Sequence, residues 1–345
     1  MSIVNSNSNM KCIGIIGVNG LVGKAIIKSL EMLDYNDCDQ YIFYFYGTSD
    51  GVIMFNSFDK PIRKFNLKHL NYLDYCILAT DNNTSREICK YTYENKLRLI
   101  IIDNSSEFRL NSEVPLCIPE INSNILDKIE QIQMISNPNC VTTILCMCLK
   151  PLMDLANIKK IIVSTYQAAS GAGYRGLQEL EIQTKQISTG LELTQEFWHK
   201  QYVYNVFSHN TKINQDNLYN EEELKLVHET KKILQINPKI TATCIRVPTI
   251  RSHCISVHIE FDKELNREEI VDKLKLFPGI KILDNYKDNE FPEPIFTAHK
   301  TDIYVGRIRS DIDDKTCWNF FISGDQLLKG AGYNSVQILD YLLRK

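Results

Sequence analysis

The chain has 345 residues, 44% of them hydrophobic and 23% charged, with a formal net charge of -3 at pH 7. That length can bury two hydrophobic cores, and a slightly acidic chain without a basic block excludes nucleic acid as the main partner. No apolar run reaches the roughly 18 residues of a bilayer span, so no membrane partner is expected.

The opening segment MSIVNSNSNM is polar and lacks the charged and apolar regions of a secretory signal, so a short frayed tail is expected. Residues 11–17, KCIGIIG, predict a buried strand, followed by a glycine-rich turn and a helix to about Leu33. YIFYFYG (41–47), DYCILAT (74–80), LRLIIID (97–103) and IQMIS (132–136) predict further strands. These runs are apolar without alternation, as in a parallel sheet covered on both faces. Helical patterns at 84–95 and 122–129 separate some of them. Such alternation of strand and helix indicates a doubly wound parallel sheet.

The pattern changes after Cys140. A helix is expected to about Leu152. The runs at 158–167, 240–248, 253–261, 304–312 and 317–323 are longer and alternate, which suits a mostly antiparallel sheet in an α+β domain. Helices are expected at 174–188, 221–234, 267–276 and 325–343. Residues 196–220 are aromatic, Asn-rich and irregular, and read as a long loop or an interface segment.

Gly17, Gly20 and Gly23 of GVNGLVG stand between the first strand and the first helix. Glycines there permit a tight turn, close approach of backbone to a pyrophosphate and close helix–strand packing. The helix N-terminus then faces the phosphates. The second strand ends in YFYGTSDG: Thr48 and Ser49 favour NADP, Asp50 opposes it, and NAD stays open.

Eleven cysteines are scattered through the chain without a CxxC pair. Neither a metal site nor a disulfide framework is expected, and reduced cytoplasmic thiols are. Cys140 differs from the rest, because it follows Asn137-Pro138-Asn139 and opens a helix. The positive end of a helix favours a thiolate, so a lowered pKa and a nucleophilic role are expected; a buried helical cysteine is the alternative. A thiolate attacking a carbonyl needs a proton-transfer partner. His253, in RVPTIRSH beyond Arg246, lies at a turn between two strands and suits that role, with an ordinary surface histidine as the alternative. The other histidines, His209 among them, read as structural. In STYQAASGAG, Gln167 ends a strand, and Ser170 and Gly171 belong to a flexible turn that can close around a ligand. Glu222 and Lys225 are i, i+3 on one helix face, and Arg109 follows a strand end, where α/β sheets place ligands.

Together these segments resemble aspartate-β-semialdehyde dehydrogenases. The resemblance spans nearly the whole chain, through GVNGLVG, DNSSEFRL, NPNC, YQAASGAG, EEELKLVHETKKIL, RVPTIRSH and DQLLKGAGYNSVQI in order. It implies a Rossmann-type dinucleotide-binding domain over 1–138, a catalytic and dimerisation domain over 139–324, and a C-terminal helix over 325–345 packed back on the first. It implies Cys140 as the thioester-forming nucleophile, His253 as acid/base and Gln167 as the residue orienting the reacting group. Arg246 would hold the substrate carboxylate and Glu222 its amine, with Arg109, Asn139 and Lys225 binding phosphate. Gly17, Asn19, Gly20, Leu21, Val22, Gly23, Thr48, Ser49, Ser170, Gly171 and Gln337 would bind the cofactor. The implied reaction is the NADP-dependent reductive dephosphorylation of β-aspartyl phosphate to aspartate semialdehyde, on the way to lysine, threonine and methionine. The implied assembly is a homodimer or homotetramer. The family usually carries an arginine after the second strand for the NADP 2′-phosphate, and this chain has TSDGV there. The rival readings are another phosphorylating aldehyde dehydrogenase, such as an N-acetylglutamyl-phosphate reductase, and a non-catalytic dinucleotide-binding regulator.

Overall fold

The computed structural model describes residues 10–131 and 133–345. Most of the opening tail, and the first residue of the expected IQMIS strand, lie outside the described residues.

In chain order the elements are β1 (Lys11–Ile16), α1 (Leu21–Met32), β2 (Tyr41–Gly47), β3 (Gly51–Phe55), β4 (Phe58–Lys64), β5 (Tyr75–Leu78), α2 (Asn82–Glu94), β6 (Ile100–Asp103), α3 (Pro119–Asn122), β7 (Met134–Ser136), α4 (Cys140–Leu152), β8 (Ile158–Gln167), α5 (Gly173–Thr189), β9 (Phe207–Ser208), α6 (Glu221–Leu234), β10 (Lys239–Arg246), β11 (His253–Phe261), α7 (Arg267–Leu276), β12 (Ile280–Ile282), α8 (Pro294–Thr297), β13 (Ile303–Ser310), β14 (Cys317–Gly324) and α9 (Tyr333–Leu343).

The first sheet has the order β3-β4-β2-β1-β5-β6-β7 and is parallel except for the β3–β4 hairpin. Its central strands β1, β5 and β6 are mostly apolar and covered on both faces. Ile26, Leu30, Val336 and Leu339, from α1 and α9, pack with Ile13, Ile15 and Ile77. Leu70 and Ile88 pack on the other side with Ile16, Cys76 and Ile101. The hairpin was not foreseen. Its turn residues Asn56 and Ser57 both have positive φ, 51° and 65°, as a two-residue turn of the favoured hand requires.

The second sheet has the order β12-β13-β14-β11-β8-β10-β9, with four of its six pairings antiparallel. β10 runs parallel to β8 because the chain crosses over through α5 and α6 between them. α4 lies in the core of this half: Val141, Ile144, Leu145, Met147, Leu149 and Leu152 pack with Ile255, Val257 and Phe320. Such burial fixes the direction of α4 and so where its first residue stands.

Two expected helices differ. Residues 123–131 form 3-10 turns after the four-residue α3. The expected 325–343 helix has a π turn at Leu328–Gly332 before α9. A Cβ at Gly330 would stand 2.7 Å from Cys140 Cβ, and one at Gly332 2.7 Å from the Ala25 carbonyl carbon. Close packing of backbone on α4 and on α1 thus accompanies the irregular turn.

Candidate active site

A cavity of about 610 Å³ is lined from both halves of the chain and gathers Arg109, Asn139, Cys140, Gln167, Glu222, Lys225, Arg246 and His253. All eight residues expected to do the chemistry and hold the substrate therefore meet at one place.

Cys140 opens α4. Asn139 caps that helix: its Oδ1 accepts from the N–H groups of Val141 at 2.9 Å and Thr142 at 3.2 Å. The Val141 N–H is shared between this cap and the sulfur, where it favours the anion. Cys140 is half-buried on the cavity wall, and desolvation pushes its pKa up to about 12; Glu222 adds to the rise, while Arg109, Arg246 and the Val141 N–H oppose it. The expected lowering is therefore not what the cavity produces, because desolvation outweighs the helix end.

α6 presents Glu222, Lys225, Glu229 and Lys232 at a helical spacing that keeps them on one face. Glu222 Oε1 accepts from Asn139 Nδ2 at 2.9 Å and Gln167 Nε2 at 3.1 Å, and Oε2 lies 3.8 Å from Lys225 Nζ. Burial alone would raise the Glu222 pKa; His209, Lys225 and the Asn139 amide hold it well below the usual carboxylate range. Glu229 was not foreseen. It accepts from Arg109 Nη1 at 3.3 Å and from the Asn139 N–H at 2.6 Å, and so fixes two site residues. Lys232 Nζ donates to the carbonyls of Arg109, Asn111 and Val114 at 2.6–2.8 Å, which holds the loop that carries Arg109. The continuation of the 222/225 face to 229 and 232 was the signal for both.

Strand register assembles the other wall. β8 lies between β10 and β11; Arg246 pairs with Gln167, and Cys254 with Tyr166. Gln167, Arg246 and His253 thus stand at neighbouring strand ends. The Ala168 peptide holds two of them. Its N–H donates to His253 Nδ1 at 3.0 Å, and its carbonyl accepts from Arg246 Nη1 at 3.1 Å. Because Nδ1 accepts, the neutral ring carries its proton on Nε2. Nε2 is buried and has no partner among the described residues. Burial, then Arg246, pushes the His253 pKa down to about 3. A Cβ on Gly171 would lie 3.0 Å from His253 Nε2 and 3.1 Å from Arg246 Nη1, so a larger residue there would press on both side chains. Ser170 accepts from Gln326 Nε2 at 2.6 Å, and Gln326 Oε1 accepts the Ser252 N–H at 2.8 Å, which fastens the turn beside His253.

The irregular segment after α5 also reaches the site. His209, read from sequence as structural, lines the cavity beside Asn210 and Phe197. Burial, then Arg246, lowers its pKa to about 4. Asn210 Oδ1 accepts from Arg246 Nε at 3.3 Å, and the Trp198 ring lies 5.5 Å below the guanidinium carbon. From the sequence, residues 196–220 were legible only as a long loop or an interface segment, because the loop is positioned by tertiary contacts.

A second cavity, of about 470 Å³, lies at the ends of β1 and β2 and is lined by Gly17, Asn19, Gly20, Thr48, Lys64 and Phe65, among others. Gly17 has φ +94°, and a Cβ there would stand 2.3 Å from the Ala79 carbonyl. A Cβ on Gly23 would be 2.3 Å from the Gly17 carbonyl. α1 has no side-chain cap and no acid in its first turn, which leaves its N–H groups to an anion. This donor set fits the pyrophosphate of a dinucleotide. Gly20 lines both cavities, and Leu21, Val22, Ser170 and Gly171 line the first. Ser49 is exposed and lines neither. Gln337 also lines neither, because its amide is engaged by Glu120 and Lys329, each at 2.7 Å.

Residues 12–129 match the family model described as semialdehyde dehydrogenase, NAD binding domain, and residues 149–329 the one described as semialdehyde dehydrogenase, dimerisation domain. The chain is 34% identical to the aspartate-semialdehyde dehydrogenase of Aquifex aeolicus, over 96% of this chain and 98% of that one. It is 35% identical to that of Prochlorococcus marinus, over 96% of each. Among solved structures it is similar to aspartate semialdehyde dehydrogenase II from Vibrio cholerae, with a TM-score of 0.89 and 29% identity over 97% of this chain and 99% of that one. A structure of the Vibrio cholerae enzyme complexed with ASA has the same TM-score of 0.89 at 28% identity.

Proposed function

The chain belongs to the aspartate-semialdehyde dehydrogenase family of oxidoreductases, and from that premise we propose that it reduces β-aspartyl phosphate to aspartate semialdehyde through a thioester on Cys140, with NADP as cofactor. The observation that carries this reading is one cavity holding Cys140, the Nε2–H face of His253 and Arg246, against the N-terminus of α1.

Arg246 grips the substrate carboxylate with the part of its fork that Ala168 and Asn210 leave open. Glu222 meets the α-ammonium. An acylated nitrogen would carry no charge and forgo the ion pair with that carboxylate, which favours the free amino acid over an N-acetyl substrate. Arg109, Lys225 and Asn139 receive the phosphate; Arg109 Nε is buried without a partner among the described residues. The Cys140 sulfur attacks the acyl carbon as the carbon–oxygen bond to phosphate breaks, and the thiol proton leaves on the departing phosphate. Gln167, fixed by Glu222 and Thr165, orients the carbonyl. The dinucleotide, when bound, supplies the hydride. The Nε2–H of His253 hydrogen-bonds the oxygen that becomes negative and keeps its proton; the carbon–sulfur bond then breaks, the aldehyde leaves, and the electron pair returns to the Cys140 sulfur, which takes up a proton from solvent.

NADP is favoured because Thr48 lines the second cavity while the Asp50 carboxylate is held by the Lys64 main-chain N–H at 2.7 Å. We place the product upstream of lysine, threonine and methionine. A homodimer through the open face of the second sheet, where Ile162 and Tyr166 are exposed, agrees with the dimerisation-domain match. The test is cofactor reduction in the reverse direction, with aspartate semialdehyde and phosphate. Phosphate-dependent reduction of NADP, faster than that of NAD, is expected. Turnover only with N-acetylglutamate semialdehyde, or none without an added partner, would contradict the reading.

A further inference from the structure

The turn after β2, Thr48-Ser49-Asp50, lacks the cation that a 2′-phosphate needs, and the neighbouring strand offers one. β4 runs parallel to β2, and the register places Lys64 beside Gly47, the last residue of β2. Lys64 lines the second cavity with Asn19, Gly47, Thr48 and Phe65. Arg63 precedes it, so its side chain leaves the strand on the opposite face; there it lies near Tyr46 and His69.

The surroundings leave the Lys64 charge available. Of the two β4 lysines, Lys60 is paired with Asp37 at 2.6 Å. Lys64 has no carboxylate within ion-pair distance among the described residues. Asp50, the acid that could have read a ribose hydroxyl, has Oδ1 engaged by the Lys64 main-chain N–H at 2.7 Å. That bond ties the β2–β3 turn to the end of β4. Asn19 Oδ1 accepts the Thr48 N–H at 3.1 Å and holds the other side of the turn. A Cβ on Gly47 would stand 2.0 Å from Asn19 Oδ1, so this corner is packed around a fixed backbone.

We propose that Lys64 is the specificity-determining residue for the cofactor, its ammonium meeting the 2′-phosphate from β4 in place of a cation on the β2 turn. The contact is a charge-assisted hydrogen bond to a dianionic group, with the Thr48 side chain beside it. This inference rests on the NADP reading above and goes beyond it by moving the recognition to another strand.

Calorimetric titration with 2′-phospho-ADP-ribose and with ADP-ribose tests it, since neither probe carries the nicotinamide and no turnover is involved. The wild-type chain binds the phosphorylated probe more tightly. Lys64→Met weakens that probe by about tenfold or more and ADP-ribose far less, while Lys64→Arg retains most of the preference. Raising the salt concentration narrows the wild-type preference. Equal affinity of the wild type for the two probes would overturn both the NADP reading and this one. A wild-type preference that survives in Lys64→Met would overturn the Lys64 assignment alone. Lys64 is exposed, and circular dichroism of each variant separates lost binding from lost fold.

Discussion

A single peptide, that of Ala168, sets the state of two side chains: His253 through its N–H and Arg246 through its carbonyl. A protonated ring would turn a second N–H against that of Ala168, so His253 is held as a neutral Nε2–H donor. Arg246 is held in plane by Ala168 and Asn210 and backed by Trp198. Arg246→Lys keeps the charge and loses the fork, and should raise KM by about tenfold or more; steady-state kinetics in aspartate semialdehyde check it, and an unchanged kcat/KM would remove Arg246 from the site. The positions of His253, Gln167 and Arg246 were legible because motif and strand end coincide, and that of Cys140 because motif and helix start do. The direction of the Cys140 pKa was not, since desolvation of the thiol arises from residues distant in sequence.

At the scale of elements, α5 supports the loop that walls the cavity around Cys140. The Glu179 carboxylate accepts the N–H groups of Phe197 at 2.6 Å and Trp198 at 3.0 Å. The buried Gln183 amide accepts from Tyr202 at 2.7 Å and donates to the carbonyls of Thr194 at 2.7 Å and Lys200 at 3.1 Å. Glu179→Ala leaves two main-chain donors unpaired and should cost about 2 kcal/mol of local stability. It should also raise KM several-fold through Phe197 and Trp198, and speed proteolysis between 191 and 206; a variant with wild-type KM and wild-type cleavage would show that the loop needs no such support. α1 gives the complementary case. Gly23→Ala forces a Cβ into the Gly17 carbonyl and should cost about 1–3 kcal/mol, seen as a lowered Tm together with weaker dinucleotide binding. The apolar strands and the capped helices α4 and α6 were legible from pattern alone. The β3–β4 hairpin was not: its turn is Asn-Ser without glycine, and β4 carries Pro61 in its middle.

Across the whole molecule, the charged and titratable groups of the site are buried where the two halves meet, and this makes stability depend on pH. The pKa values of His253 and His209 fall from the ordinary 6.5 to about 3 and about 4. The unfolded chain therefore binds more protons between those values and 6.5, so stability present above pH 6.5 is lost as the pH falls through that window. Urea unfolding should show a decline approaching 1.4 kcal/mol per pH unit for each histidine, roughly, and His209→Asn should flatten it; a profile level from neutral pH down to about 4.5 would contradict the burial of both rings as neutral groups. The doubly wound half was foreseeable from the alternation of strand and helix, and the meeting of the candidate site's segments from the motifs that carry them. The part played by Gly330 and Gly332 against Cys140 and α1 was not, since it depends on how the last segment closes between the two halves. The account turns on Cys140 carrying the acyl group in this shared cavity. Intact-mass spectrometry and peptide mapping, on protein mixed with β-aspartyl phosphate and no reduced cofactor, test that directly. The predicted result is one aspartyl adduct, on Cys140, discharged as aspartate semialdehyde when NADPH is added. Reduction that proceeds with no adduct, or with the adduct on another of the eleven cysteines, would contradict it.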